Sequence, residues 1–494
     1  MEDLSALSSL FSRREFMRGI GAFSAASMTI WAGGCEACLT QIQNMIANRP
    51  TRKNIQNLSP TDPVIKTFKA AVTAMRGLGP GDPRSYQNQA VIHNGLCTHS
   101  NWLWLPWHRV YLVYFERICR KLTGDDSFAL PYWNWVTHPA VPDVFWDTSS
   151  SLYDSNRGIT QSDQADASYV GASVIQGILN ETNFELFASG PPPTADLHSP
   201  GGPSTGELEG TPHNNIHGFV GGDMDTFMSP LDPVFWTHHN MLDCLWAHWN
   251  IDLNNPNTND TAWTNHMITD FVDENSNPVS VPVVDTILYP LLTYQFEPCS
   301  LTQAGGMKKF AGDRKALEKF LREGAPSKLE FVNRFEVRQA LSAEIGKPAT
   351  ASIKVAAGAL QAVLDGAAKT RAVLTVADVD IPEKRDFFVR IFVGKPDASG
   401  ATPIDDPHYA GSFGFFFDES VLKNHEKEHP GMAMPGRPKT GYLVDLTETL
   451  QKLKQAGSLT PEKIDVSFVA APYGRREAKG HLTLQRVELG VARF

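Results

Sequence analysis

Two kinds of hydrophobic patterning divide the chain. In the run VFWTHHNMLDCLWAHW, starting at Val234, apolar residues return every three or four positions, and Asp232 and Pro233 stand where a helix would start. WLPWHRVYLVYFERIC repeats the pattern: Pro106 suits a helix's first turn, and Leu112, Phe115 and Cys119 continue down one face. Residues 39–92 read as helices and long surface loops punctuated by Pro60, Pro63, Pro80 and Pro83. The span 139–212 is rich in Ser, Asp, Gly and Pro, a composition that predicts long loops, of the kind that often form the walls and mouth of a site.

The pattern changes after about residue 305. MKKFAGDRKALEKFLREGAPSK is charged and partly helical, and reads as a linker or a helix laid on the surface. Alternating strand-like runs follow: ASIKVAA, RAVLTVADV, DFFVRIFVG, YAGSFGFFF, GYLVDL, KIDVSFVAA and HLTLQRVELGV, separated by Gly, Pro and Asp turns. They predict a β-sandwich or barrel. The expected organisation is therefore an amino-terminal segment 1–34, a mainly α domain 35–305, a linker 306–345 and a β-sandwich-like domain 346–494. No internal repeat of fixed period interrupts it.

With 494 residues the chain has ample core for two or three domains. A formal charge of −10, with no basic stripe of interleaved aromatics, argues against a general nucleic-acid binder and leaves small neutral or phenolic molecules as partners. The amino-terminal SRREFM, followed by GIGAFSAASMTIWAGG, has paired arginines, a short apolar core and small residues, as in twin-arginine export signals. The apolar run is too short for a membrane span. Periplasmic or secreted bacterial location, cleavage near Gly34, the twin-arginine export machinery and a copper chaperone as partners are the expectations that follow, with a lipid anchor on Cys35 a weaker one. Six cysteines are present; Cys119 and Cys244 on helix faces read as buried thiols, and no pairing of Cys35, Cys38 or Cys299 is assigned.

The densest chemistry lies in HNGLCTHSNWLWLPWH, from His93 to His108, in HNNIH, from His213 to His217, and in the pair His238 and His239. His213 and His217 are four apart, so one helix face can present both to one ion, with His239 arriving from another helix. His93, His99 and His108 can form a second triad. Any one histidine is more often a hydrogen-bonded core residue than a ligand, but two triads with aromatic flanks reverse those odds. The expectation is a dinuclear centre inside a four-helix bundle. Neutral imidazoles without carboxylate or thiolate suit copper, zinc, iron or nickel rather than magnesium or calcium. Copper is favoured by Cys97, two residues before His99, since an oxidising copper pair could couple that thiol to the ring.

CTHSNWLWLPWHRVYLVYFE, FALPYWNW, PHNNIH and DPVFWTHHNMLDCLW closely resemble the type 3 copper proteins, specifically tyrosinases and polyphenol oxidases, over roughly residues 60 to 250. The resemblance implies two copper ions, one on His93, His99 and His108 and one on His213, His217 and His239, with His238 a neighbour. It implies a Cys97–His99 thioether, Asp243 orienting a ligand or pairing with Arg109, and Glu209 and Asn214 holding a water that helps deprotonate a phenol. Phe227, Met228 and Gly218 are implied at the substrate entrance. Cys35 and Cys38 lie where plant relatives carry amino-terminal disulfides.

The β-rich domain is similar, less specifically, to the carboxy-terminal domain of plant and fungal polyphenol oxidases, which covers the site and keeps the enzyme latent. The tract Ser412 to Phe417 is one place from which an aromatic could enter the pocket as a mock phenol, although an aromatic strand usually packs in its own core. His425 and His429 read as solvent exposed. The implied activity is dioxygen-dependent ortho-hydroxylation of monophenols and oxidation of o-diphenols to o-quinones. A catechol oxidase, a haemocyanin-like oxygen carrier and a copper storage protein are the alternatives, the last expected to use many thiolates.

Overall fold

The computed structural model describes residues 47–192, 197, 203–299, 325–417, 439–474 and 477–494. The export-signal, Cys35 and Cys38, linker-helix, and His425 and His429 expectations lie outside the described residues. Among those that are described, no helix is long and apolar enough to cross a membrane.

Five of the described helices carry the framework of the amino-terminal half. α1 (Pro63–Gly77) starts where Asp62 accepts a hydrogen bond from the Val64 N–H, with proline at the first position, where no donor is lost. Its Ile65, Phe68, Val72 and Met75 face the core. α2 (Tyr86–Leu96) is capped by the Ser85 hydroxyl, which accepts from the Asn88 N–H, and it ends at Cys97. α3 (Trp104–Thr123) carries Pro106 in its first turn and stops at Gly124, whose φ of 70° suits glycine. α4 (Asn214–Val220) follows a five-residue wide turn, Glu209–His213, that contains Pro212. α5 (Val234–Ala247) begins with the Val234 N–H donating to Asp232. Helices α2 to α5, with the wide turn, hold the histidine motifs and form the expected bundle. The span 139–212 is not all loop: Ala167–Val170, Ala172–Asn180 and Phe184–Phe187 are short helices.

Small strand pairs tie the helical half together. β1 (Thr51–Arg52) runs parallel to β5 (Gln295–Phe296), and β3 (Met267–Ile268) pairs with β4 (Val281–Pro282). Cys244 on α5 is not the buried thiol expected; it bonds to Cys299 across a separation of 55 residues, whereas Cys97 and Cys119 are buried and form no disulfide. Only the chain's return past β5 brings the two sulfurs together, so helical periodicity could not show it.

The carboxy-terminal half is a sandwich of two sheets. One has the order β10 (Tyr409–Phe413), β9 (Phe387–Val393), β12 (Lys463–Pro472), β7 (Pro348–Lys354). The other runs β2 (Pro203–Thr205), β11 (Lys439–Asp445), β8 (Thr370–Asp380), β13 (Leu482–Arg493), β6 (Glu330–Ala343). Alternate residues of both sheets, among them Ile353, Leu374, Ile391, Val444, Phe468 and Leu489, fill one core between them. A short helix, α6 (Thr447–Gln455), follows β11. Two expectations change here. β6 lies within the span read as linker, because this edge strand exposes Arg334, Glu336 and Arg338 and so looked too charged for a sandwich. β2 comes from the helical half and pairs with β11, so one sheet crosses the domain boundary.

Candidate metal centre

The sequence places six imidazoles on four helices and their flanks, and packing brings their rings together. His93 sits in the last turn of α2, His99 on the loop after it, and His108 in the first turns of α3. His213 ends the wide turn, His217 lies on α4 and His239 on α5. All are buried, and the rings of His108 and His239 stack with centroids 4.4 Å apart, which joins the two triads. Two groups of side chains converge closely enough to hold an ion: His93, His99 and His108, and His213, His217, His238 and His239.

Backbone carbonyls fix the tautomers. Nδ1 lies 2.6 Å from the Phe227 oxygen in His93, 2.7 Å from that of Trp104 in His108 and 2.6 Å from that of Met224 in His217. A carbonyl only accepts, so each Nδ1 carries the proton and each Nε2 offers a lone pair. Yet Nε2 of His108 is 3.3 Å from Nε2 of His93, and Nε2 of His217 is 3.2 Å from Nε2 of His239. In the His93 and His108 pair both Nδ1 protons are taken by carbonyls, so two lone pairs face each other and repel unless a cation lies between them. Nε2 of His99 and of His213 is buried and likewise lacks a hydrogen-bond partner. Burial lowers the basicity of all six, His93 to about 4 and His213 to about 3, so the rings are neutral ligands at physiological pH. The donor set fits two nitrogen-seeking metal ions.

His238, treated as a neighbour from sequence, is buried within the second cluster, its ring stacked 5.8 Å from that of His213. Glu209 and Asn214 each contact a histidine ring of the two clusters. Glu209 accepts from the Ser100 N–H at 2.6 Å and the Ser189 hydroxyl at 2.5 Å, and its Oε1 lies 3.3 Å from Nδ1 of His99. Burial pushes its carboxyl up to about 8, against those two hydrogen bonds. The Asn214 oxygen is 2.8 Å from Nδ1 of His213, and its amide donates to the Gly414 carbonyl at 3.2 Å. Phe227 reaches the site, its ring 5.5 Å from His99, whereas Met228 is half-buried in the same loop.

Asp243 pairs with Arg109 at 2.5 Å, and the pair is buried rather than a surface contact. It also accepts from Arg52 at 2.9 Å and from the Tyr294 hydroxyl at 2.5 Å. Arg52 in turn reaches Glu116 of α3 at 3.0 Å and Asn240 of α5 at 2.8 Å, its guanidinium 3.5 Å from the Tyr294 ring centroid. This network locks the helices of His108 and His239 together. Sequence reasoning missed Arg52, Glu116 and Tyr294, because Arg52 lies 191 residues before Asp243 and nothing local marks it.

The centre is covered from the sandwich side. Along the tract from the end of β10, Phe413 and Phe415 turn into the β core, while Phe416 enters the histidine cluster, 4.1 Å from His217, 5.0 Å from His99 and 5.5 Å from His213 by ring centroid. The aromatic tract therefore serves its own core and the site at once, by the alternation of an extended chain. Gly414 donates its N–H to the Gly210 carbonyl at 2.9 Å, and the Thr211 hydroxyl donates to Ser412 at 2.6 Å. Gly218, expected to leave room at the entrance, is where Tyr473 sits: a β-carbon there would lie 2.6 Å from the Tyr473 ring.

Residues 83–207 and 194–252 match the family model described as the common central domain of tyrosinase. The latent chloroplastic polyphenol oxidase of Prunus armeniaca is 37% identical over 287 residues, 49% of this chain and 47% of that protein. Aureusidin synthase of Antirrhinum majus is 31% identical over 48% of this chain and 50% of its own length. The chain thus spans about half the length of these relatives. The fold extends further: the latent apple tyrosinase structure superposes with a TM-score of 0.64 at 20% identity, covering 90% of this chain and 97% of that one. The expected bacterial periplasmic or secreted location is overturned, since the Prunus armeniaca, Malus domestica, Spinacia oleracea and Vitis vinifera relatives are chloroplastic plant proteins and point to a plastid.

Proposed function

We propose that this chain, whose helical half carries the central domain of the type 3 copper tyrosinase and polyphenol oxidase family, is a copper-dependent oxidase of phenols held latent by its own β-domain. The observation that carries the reading is the convergence of two groups of neutral imidazoles, with the Nε2 lone pairs of His93 and His108 facing each other. His93, His99 and His108 would hold one copper, and His213, His217 and His239 the other, with His238 beside them. The copper pair, when bound, supplies electron exchange with dioxygen. Two o-diphenols each give up two electrons and two protons to become o-quinones, and one dioxygen is reduced to two waters.

The protein's own contribution is position and exclusion. The place filled by the Phe416 ring is where a substrate ring would lie, flanked by Phe227 and His217. Removing Phe416 and Gly414 also frees the Asn214 amide, which in the covered state is bonded to the Gly414 carbonyl. Asn214 with Glu209 could then hold a water against an incoming monophenol, the step that separates a tyrosinase from a catechol oxidase. A Cys97–His99 thioether would hold the one ligand that lies on a loop; Cys97 is buried and free of any disulfide.

Oxygen uptake by the copper-loaded chain, cut between residues 300 and 324, tests the proposal. Uptake with a diphenol and with a monophenol primed by a trace of diphenol supports the tyrosinase reading. Uptake with diphenol alone makes it a catechol oxidase, and none from a protein with two coppers favours an oxygen carrier.

A further inference from the structure

Tyr473 is itself a phenol, and it occupies a fitted seat. Its hydroxyl donates to Oδ1 of Asn215 at 2.8 Å. Asn215 is fully buried and its amide donates to the Thr211 carbonyl at 2.6 Å, which turns its Oδ1 toward the Tyr473 hydroxyl. The Tyr473 ring lies against Gly218, where any β-carbon would collide with it, and edge-on to Tyr169 with centroids 6.1 Å apart. Gly218, Asn215 and Tyr169 all belong to the helical half, and Tyr473 comes from the β-domain. A hydrogen-bond acceptor at the end of a flat slot, with no charged side chain among the three, selects a neutral aromatic hydroxyl.

This cup adjoins the place of Phe416. Gly218 follows His217, whose ring is 4.1 Å from that of Phe416. Gly414 touches the cup as well, its β-carbon direction meeting Asn215 at 2.6 Å and the Tyr473 hydroxyl at 2.8 Å. It precedes Phe416 by two residues, at most about 7 Å of extended chain. The β-domain thus inserts two aromatic rings against the helical half, one at the histidine cluster and one, bearing a hydroxyl, in the cup.

We propose that the cup of Gly218, Asn215 and Tyr169 is a second phenol subsite, which takes the distal hydroxyphenyl ring of a two-ring polyphenol whose reacting ring replaces Phe416. The assignment rests on the oxidase reading of the centre. In the uncovered enzyme Asn215 accepts the distal hydroxyl, and the substrate is preferred over a one-ring catechol by the contacts that Tyr473 makes here.

The test uses the full chain without copper, as Phe416→Ala and as Phe416→Ala with Tyr473→Ala. Isothermal titration with a 1,3-bis(hydroxyphenyl)propane should show binding at least about tenfold tighter in the double variant, and 4-methylcatechol should bind both alike. Tyr473→Phe in the Phe416→Ala background keeps the ring in the cup and should give no gain. Tyr473→Leu, which retains packing against Phe388 and vacates the Asn215 end, is read in the same way should the alanine variant fold poorly. Equal gains for both probes, or none for the two-ring probe, overturn the subsite. Oxygen uptake with 4-methylcatechol by copper-loaded Phe416→Ala separates the two claims. Uptake without the two-ring gain sinks the subsite alone, whereas binding gain without uptake from a two-copper protein sinks the oxidase reading.

Discussion

The metal centre has two walls of different construction. The helical wall is tied by buried charge: Arg52, Arg109, Glu116 and Asp243 link α3 to α5 through ion pairs whose side chains are almost wholly buried. The β wall is tied by a plug and a seam. Phe416 enters the histidine cluster and Tyr473 the cup of Gly218, Asn215 and Tyr169, and further links include the hydrogen bond from Thr211 to Ser412 and the group of Glu181, Glu207, Asp445 and Arg371 at the edge. Removing a member of the first wall strands a buried charge. Removing one from the second opens a surface. The same site can therefore have a permanent scaffold and a displaceable cover.

The sharpest break in this contrast is at a ligand. His217→Ala should lower bound copper from two toward one per chain, read by metal analysis, and take oxygen uptake to background. Asp243→Ala should cost about 3–5 kcal/mol, because two arginines lose their shared carboxylate in a buried place, and chemical denaturation would measure it. Asp243→Ala with unchanged stability would show that the helical wall is not held by charge. Phe416→Ala, by contrast, should leave the fold standing, since the side chain projects out of the β core. It should raise oxygen uptake by the uncut, copper-loaded chain at least about tenfold, and a destabilisation as large as that of Asp243→Ala would erase the distinction between the walls.

The smallest effect is expected from pH acting on the seam. Glu181 is pushed up to about 8 by burial and then by Asp445, against the pull of Arg371, and Glu207 is raised by burial and by the same two carboxylates, Asp445 and Glu181. Three carboxyls share one guanidinium, so the closed seam binds protons that the open one releases. Its stability is whole below the ordinary carboxylate range and is lost as pH rises toward and through 8. In the chain cut between residues 300 and 324, the fraction of β-domain that leaves the helical half on gel filtration should grow by about tenfold between pH 5 and pH 9. Glu181→Gln should flatten that dependence.

Much of the site was legible because its constraints are local. Two imidazoles four residues apart, or a histidine two residues after a cysteine, can be seen in a short window, and packing brings His93, His99 and His108 together and His213, His217, His238 and His239 together. The pairing of Arg109 with Asp243 was implied by the family resemblance, and the structure shows it as a buried ion pair. The charge network's third member, Arg52, did not, nor did the Cys244–Cys299 bond, since each partner arrives from a distant part of the chain. Glu209 was visible as a residue with chemical potential, but its engagement with Ser100, Ser189 and the ring of His99 depends on three separate segments meeting.

By itself the sequence determined the two element types and the histidine-rich segments whose donors suit nitrogen-seeking metals, because periodicity and donor chemistry are properties of neighbouring residues. It also marked the aromatic tract as able either to pack in a strand core or to enter the site. Only the tertiary structure decided that it does both, with Phe413 and Phe415 inward and Phe416 at the histidines. Only the fold seats Tyr473 on Gly218 and continues one sheet from β2 into the sandwich. Those contacts join residues roughly 200 to 260 positions apart, and burial against a partner from the other half of the molecule leaves no periodic trace in either segment.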